Sequence, residues 1–266
     1  MAAGRLTAHP VHIGLLDSGV DLQHPLLQGL LAEGYSPVRP GEPPQDENGH
    51  GTHVAGIIAT AIGDRLGRSD PPPVLLHPVK IFDQTGYGRM DHIVQGLNWC
   101  RDNGMAMINL SFGTDRKTSR SLQQAIIAAY QKGILLIGAA GNDGRTGAVD
   151  FPGRYPEVLA VAACTQGDEL APFSSSGPEV DLVAPGSGVV SLAPGGTSVR
   201  MSGTSMAAPH VTAAAALLLA LHPTLRPSAV RERLMASAEW MPMIPARAQG
   251  AGLLRADRLL REALYH

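Results

Sequence analysis

The residue best placed for covalent chemistry is Ser205. It stands in Ser202-Gly203-Thr204-Ser205-Met206-Ala207-Ala208-Pro209-His210-Val211, which runs into Ala213-Ala214-Ala215-Ala216-Leu217-Leu218-Leu219-Ala220-Leu221. The second stretch is apolar on every side, as suits a helix buried inside a domain. Pro209 is expected in the first turn of that helix, where its missing N–H is harmless. Ser205 then lies at or near the helix N-terminus, among unpaired backbone N–H groups and the positive end of the dipole. A serine at that point can be a nucleophile with donors ready for an oxyanion. Taken alone, Gly203-Thr204-Ser205 reads first as a helix cap, a common use of Ser and Thr. Partners elsewhere in the chain decide between the two.

Residues 11–16 read as a buried parallel strand. Asp17 follows at its C-terminal end, where α/β sheets place their sites. After the Asn48-Gly49 turn, His50 opens a helix of small residues, 51–61. Four blocks then stand in order: Gly14-Leu15-Leu16-Asp17-Ser18-Gly19-Val20-Asp21, Asn48-Gly49-His50-Gly51-Thr52-His53-Val54-Ala55-Gly56, Ala139-Ala140-Gly141-Asn142-Asp143-Gly144 and Gly203-Thr204-Ser205-Met206-Ala207-Ala208-Pro209-His210. On these blocks the chain resembles the subtilisin-like (subtilase) serine endopeptidases over roughly 11–238. The order Asp, His, Ser is the order of the subtilisin triad.

The resemblance implies roles. Asp17 is the triad acid, which orients an imidazole and stabilises its protonated form. His50 is the general base and Ser205 the nucleophile. Asn142, otherwise a turn residue, donates its amide to the oxyanion beside the Ser205 N–H, with the Thr204 hydroxyl assisting. His50 then protonates the leaving amine, and water resolves the acyl-enzyme. Gly86-Tyr87-Gly88 and Ser111-Phe112-Gly113 are the two edges between which an extended peptide adds as a strand. Glycine there allows close backbone approach. Asp150, just before Phe151-Pro152, lies toward the base of the S1 pocket, where an anion favours Lys or Arg at P1, as in trypsin. The other reading of Asp150 is a solvent-pointing side chain beside a broad apolar pocket. The Phe151-Pro152 bond is expected to be cis by the same resemblance.

No cofactor and no metal site are expected. Many subtilases carry a calcium-binding excursion in the region of 63–73, with an aspartate supplied from just after the first strand. Here Leu26 takes the aspartate position, and Gly63 and Arg65 stand where oxygen ligands are expected. Calcium wants six to eight oxygens, so this site is read as lost. A weaker cation site, from carbonyls near Gly153, Tyr155 and Val158 with Asp181 nearby, stays open. His53 follows His50 without the Glu of a His-Glu-x-x-His metal helix and is read as a packed helix residue.

These positions must be held by a larger frame. Strands are expected at 74–82, 107–110, 134–140, 158–163 and 181–184, and helices at 90–103, 122–130, 226–238 and 256–264. Residues 34–47, with Pro37, Pro40, Pro43 and Pro44, read as a surface loop. Together with the resemblance, the elements give an α/β class: a three-layer, doubly wound, mostly parallel sheet with helices on both faces. One domain spans 1–266, with its core at 11–238 and a C-terminal extension, 239–266, ending in a short helix.

With 266 residues, 44% apolar and 17% charged, the chain reads as soluble and globular. A net charge of −2 gives no sign of a nucleic-acid or anionic-membrane partner. The apolar run 213–221 is too short to span a bilayer. The expected partners are peptide or protein substrates, with no nucleic acid and no membrane, and the chain is expected to be a monomer. The first seven residues lack the apolar stretch of a signal peptide. That reads as cytoplasmic, or as secreted if the sequence begins after a removed leader. Cys100 and Cys164 are expected to be buried free thiols, which fits a reducing compartment. Two further readings stand beside the first: a dedicated maturation protease for a ribosomal peptide precursor, and an inactive peptide-binding pseudoprotease.

Overall fold

Six short apolar runs form the frame on which the site is built. The computed structural model describes residues 10–66, 73–114, 119–144 and 148–265. Strands β1 (Val11–Asp17), β2 (Val74–Lys80), β3 (Met107–Leu110), β4 (Leu135–Ala139), β5 (Val158–Cys164) and β6 (Val180–Pro185) make one sheet. Their order is β2-β1-β3-β4-β5-β6 and each neighbouring pair is parallel. Parallel sheets need cover on both faces, which is why the strands are near-continuous apolar runs.

The cover comes from helices α1 (His50–Leu66), α2 (Met90–Asp102), α3 (Arg120–Gln131), α4 (Thr204–Leu221), α5 (Pro227–Ser237) and α6 (Ala256–Tyr265). Alternating strand side chains sort into two cores. On one face Ile13, Leu15, Met107, Ile137 and Leu159 pack with Ile58 of α1 and Val211 and Leu218 of α4. On the other, Leu16, Ile108, Leu110 and Leu136 pack with Leu97 of α2 and Ile126 of α3. The result is the three-layer α/β architecture. Helix α4 is long and apolar enough to cross a membrane, but 83% of it is buried inside the fold. Its run of four consecutive alanines, Ala213 to Ala216, is buried and lets the backbone approach the sheet closely.

From β1 the chain crosses out to β2, then returns to β3 on the other side of β1. Such a reversal opens a crevice at the carboxyl ends of the strands on either side of it. Asp17 ends β1, and Ser111 follows β3 there.

Several expectations need correction. Pro209 is the sixth residue of α4, not a first-turn residue. A proline at that depth removes the N–H that would bond the carbonyl four residues earlier, that of Ser205. The Ser111 hydroxyl supplies the missing donor, at 2.9 Å from the Ser205 carbonyl oxygen. Helix α1 continues to Leu66, so Gly63 and Arg65 are helical rather than in a loop. Residues 67–72 of that expected excursion lie outside the described residues.

The segment 34–47 is more than a surface loop. Leu31 and Tyr35 bridge to Leu76 and Val79 of β2, and Ser36 and Asp46 are buried. The segment covers the outer edge of β2, which would otherwise present unpaired backbone. An antiparallel hairpin, β7 (Val189–Ala193) and β8 (Thr197–Met201), was not expected, because β8 is exposed and has no apolar run. The Phe151-Pro152 bond is cis. Cys100 and Cys164 are free and buried, and burial raises both thiols, that of Cys164 to about 12.

The tight seat of α4 is testable. Ala216→Leu should overpack it against the sheet and cost about 1–3 kcal/mol, seen as a lowered urea midpoint. An unchanged midpoint would mean that this helix face has room to spare.

Candidate active site

Two elements meet at Asp17. Its Oδ1 accepts the Ser18 N–H at 2.8 Å and His50 Nδ1 at 2.7 Å. Asp17 is 1% exposed, while His50, the first residue of α1, is half-buried. With the ring proton held on Nδ1 by the carboxylate, Nε2 keeps its lone pair, the tautomer a general base needs. Burial disfavours the imidazolium, but the charge and hydrogen bond of Asp17, with the charge of Asp46, outweigh it. His50 is therefore held above the usual histidine value.

Ser205 is the second residue of α4. Its neighbour Met206 packs with Val54 and Ile57 of α1, which brings the start of α4 against the N-terminal half of α1. The Ser205 hydroxyl donates to the Ser111 carbonyl at 2.8 Å. It does not bond to His50 in this structure. Since the Ser111 hydroxyl donates back to the Ser205 carbonyl, the two serines form a reciprocal pair. A change of χ1 rotamer would free the Ser205 oxygen, and catalytic hydrogen bonds are commonly unformed before substrate binds.

Behind this pair runs a buried polar chain. Thr212 of α4 donates to Asn109 Oδ1 at 2.8 Å, and Asn109 Nδ2 donates to the Ser111 hydroxyl at 2.8 Å. The sequence reading passed over Asn109. The signal was there: a lone amide in the otherwise apolar run Met107-Ile108-Asn109-Leu110 must find partners once buried.

Asn142 follows β4. Its Oδ1 accepts the Thr204 N–H at 2.9 Å and the Thr204 hydroxyl at 3.2 Å. That hydroxyl in turn accepts the Gly141 N–H at 3.0 Å. At rest Thr204 thus anchors the amide of Asn142 through both its N–H and its hydroxyl. Asn142 Nδ2 and the Ser205 N–H are left without partners among the described residues.

The two proposed peptide edges lie beyond. Phe82 bridges to Gly88 antiparallel, with the Asp83 N–H on the Tyr87 carbonyl at 3.0 Å. In that pattern the Gly88 N–H and C=O point to the open side. A Cβ on Gly88 would come within 2.3 Å of the Phe82 ring, which explains the glycine. Gly86 has φ +80° and Tyr87 is 64% exposed. Opposite, Phe112 and Gly113 carry no backbone hydrogen bond among the described residues, and Thr114 pairs with Phe151. The Phe82 and Phe112 rings meet edge to face at 5.4 Å and tie the two segments together.

Asp150 is buried and its carboxylate turns inward. A Cβ on Gly113 would stand 2.6 Å from Asp150 Oδ2, and one on Gly141 2.4 Å. The carboxylate therefore sits between the edge segment and the Asn142 segment, where any side chain at 113 or 141 would collide with it.

His53 is fully buried, with Nε2 at 3.2 Å from the carbonyls of Val189 and Val199. One carbonyl comes from each strand of the hairpin, so the ring fastens β7–β8 to α1. Burial pushes its pKa down. No group of three His, Cys, Asp or Glu among the described residues could hold a metal ion. Leu26, exposed in a short turn, and the helical Gly63 and Arg65 do not fit the calcium site of many subtilases. Both oxygens of Asp181 are engaged, one by Arg231 at 2.6 Å and one by the Ala160 N–H at 2.9 Å.

A parallel α/β sheet with its polar cluster at the switch point defines the broad class. Within it, a profile of the Subtilase family matches residues 9–255, and the chain belongs to that family. It is 40% identical over 241 residues to a subtilisin from Bacillus pumilus, covering 88% of this chain and 86% of that one. With subtilisin Savinase from Lederbergia lenta the identity is 39% over 258 residues, covering 96% and 93%. Against subtilisin E from Bacillus subtilis the identity is again 40%, and the chain spans 62% of that protein's length. A cold adapted subtilisin-like serine proteinase of known structure superimposes with a TM-score of 0.79 at 32% identity, over 92% of this chain and 86% of that one. A lanthipeptide protease shares the fold, with a TM-score of 0.84 at 24% identity, over 95% and 87%.

The charge coupling at Asp17 can be read directly. His50 should titrate above about 6.5 by NMR, and Asp17→Asn should move it down, since the main group favouring the imidazolium is gone. A wild-type His50 that titrates below 6.5 would contradict the coupling.

Proposed function

We propose that the protein is a serine endopeptidase that hydrolyses extended polypeptides through an acyl-enzyme. The observation that carries this is the Asp17–His50 hydrogen bond, on a helix whose Val54 and Ile57 pack with Met206 next to Ser205, in a chain of the Subtilase family. Ser205 Oγ leaves the Ser111 carbonyl, gives its proton to His50 Nε2 and attacks the scissile carbonyl carbon. Asp17 stabilises the imidazolium. The oxyanion accepts from the Ser205 N–H and Asn142 Nδ2, both unpartnered at rest. His50 returns the proton to the leaving amine, then takes one from the water that releases the acyl group. Departure of the serine hydroxyl also frees the Ser111 carbonyl as an acceptor for a peptide N–H. The peptide lies between 86–88 and 111–113, main chain first and side chains second.

Asp150 supports a preference for Lys or Arg at P1. Its carboxylate is the anion between the Gly113 and Gly141 backbones, and a charged pair at that depth is worth more than one in water.

A narrower reading keeps the chemistry and restricts the substrate to a ribosomal peptide precursor. A protein of known structure named a lanthipeptide protease has this fold. Cleavage of one precursor at one site, with casein left intact, would single that role out.

Ser205→Ala should abolish peptide turnover while leaving the fold unchanged, and a fluorophosphonate should label Ser205 in the wild type. Absence of labelling would favour the pseudoprotease. Asn142→Ala should lower kcat by about 10²–10³ with little change in KM, the range known for this donor in subtilisin. For P1, kcat/KM of Arg and Leu peptides should be compared on wild type and Asp150→Ala. The Arg preference should fall at least about 30-fold, from about 2 kcal/mol for a lost charge pair. An unchanged preference would remove Asp150 from the pocket.

A further inference from the structure

Ser18, next to Asp17, is gripped on every polar atom. Its N–H goes to Asp17 Oδ1 at 2.8 Å. Its hydroxyl donates to Asp46 Oδ1 at 2.8 Å and accepts the Gly51 N–H at 2.9 Å. Its carbonyl accepts Lys80 Nζ at 2.8 Å. Asp46 and Lys80 are both buried, at 3% and 1% exposed. Lys80 Nζ also donates to the Gln45 carbonyl at 2.9 Å, with Glu47 at 3.6 Å.

Asp46 does more than hold Ser18. Its Oδ1 also accepts the N–H groups of Asn48 at 3.0 Å and Gly49 at 2.9 Å, and its Oδ2 accepts the Thr52 N–H at 2.9 Å and the Thr52 hydroxyl at 2.5 Å. Five donors on one buried carboxylate cannot be replaced by water. They define the path of 48–52, the stretch that presents His50. Through Ser18 the same carboxylate reaches the residue that follows Asp17. The two halves of the Asp17–His50 pair lie 33 residues apart, on a strand and a helix. Ser18 and Gly51, each the next residue along, are joined by a hydrogen bond that Asp46 and Lys80 hold in place.

We propose that Asp46 and Lys80, acting through Ser18, form a clamp that sets Asp17 against His50, with Asp46 as a positioning residue for catalysis. This rests on the peptidase reading. The roles follow from the geometry: Lys80 fixes the backbone of Ser18, and Asp46 fixes its hydroxyl and the start of α1. Asp46 has a second effect through its charge, which adds to that of Asp17 in favouring a protonated His50. The other groups near His50 are Asp17 on β1 and His53 one turn further along α1. Lys80 on β2, with Glu47 against it, reaches Ser18, and the first turn of α4 brings no charge.

The test compares wild type, Asp46→Asn and Ser18→Ala on a peptide substrate across pH, with urea midpoints in parallel. Asp46→Asn keeps the Oδ1 acceptor but loses the charge and turns an NH₂ toward the Thr52 N–H. Its kcat should fall about 10²-fold, the scale of a small misplacement of catalytic groups, with KM within about twofold. Its acid limb should move to lower pH, because losing the anion makes His50 easier to deprotonate. Ser18→Ala removes the bridge but no charge, so kcat should fall while the acid limb stays put.

Wild-type kcat in either variant overturns the clamp. So does an Asp46→Asn variant with an unmoved acid limb, whose lost activity would then be general destabilisation. If Asp46→Asn does not fold, the kcat against KM split of Ser18→Ala decides. If the wild type itself neither turns over peptide nor reacts with a fluorophosphonate, the peptidase reading has failed. The clamp is then judged by the NMR titration of His50: a downward shift in Asp46→Asn keeps it, and no shift ends it.

Discussion

A buried carboxylate at the end of the first strand, with one histidine ring against it, sets the terms for this molecule. Burying Asp17 is unfavourable unless donors meet it. One oxygen has two, the Ser18 N–H and His50 Nδ1, while the other has none among the described residues. The strand must end where the sheet changes direction, and α1 must start within reach of that end. Both conditions follow from the chain passing from β1 to β2 and back to β3.

The proline of α4 adds a second constraint. A helix that begins with a nucleophile candidate and breaks its own ladder four residues later leaves one carbonyl without its helical donor. The fold answers with Ser111, which belongs to a segment at the rim of the crevice. The helix start and the rim are thereby locked to each other, and Asn109 and Thr212 extend the lock into the core. Thr204 does the same on the other side by fixing the face that Asn142 presents.

Much of this was legible in the sequence. The α/β class and most strands could be read, because doubly covered strands must be apolar runs and the helices between them keep their period. The places of Asp17, His50, Ser205 and Asn142 were legible because each lies in a short local block. What could not be read depends on distant contacts. Pro209 looked like a first-turn residue because nothing local reveals that Ser111 can replace its missing N–H. Asp46 was hidden in a Pro-rich stretch that looks solvated, and only the fold brings Ser18 and Thr52 to it. Strand β8 has no apolar run, and the β7–β8 hairpin is tied to α1 by contacts far off in sequence: Leu192 in the core and the buried His53 ring, which supplies the donor for a carbonyl on each strand.

The sheet's two flanks are both sealed by the chain itself. Leu31 and Tyr35 lie along β2, and Leu253 of the C-terminal extension lies along Val183 of β6. Neighbouring molecules therefore find no ready ladder there to extend, which guards against stacking into fibres. Among the described residues, Phe112 and Gly113 leave their main chain unpaired. That opening is only a few residues long, set against rims that the chain itself covers.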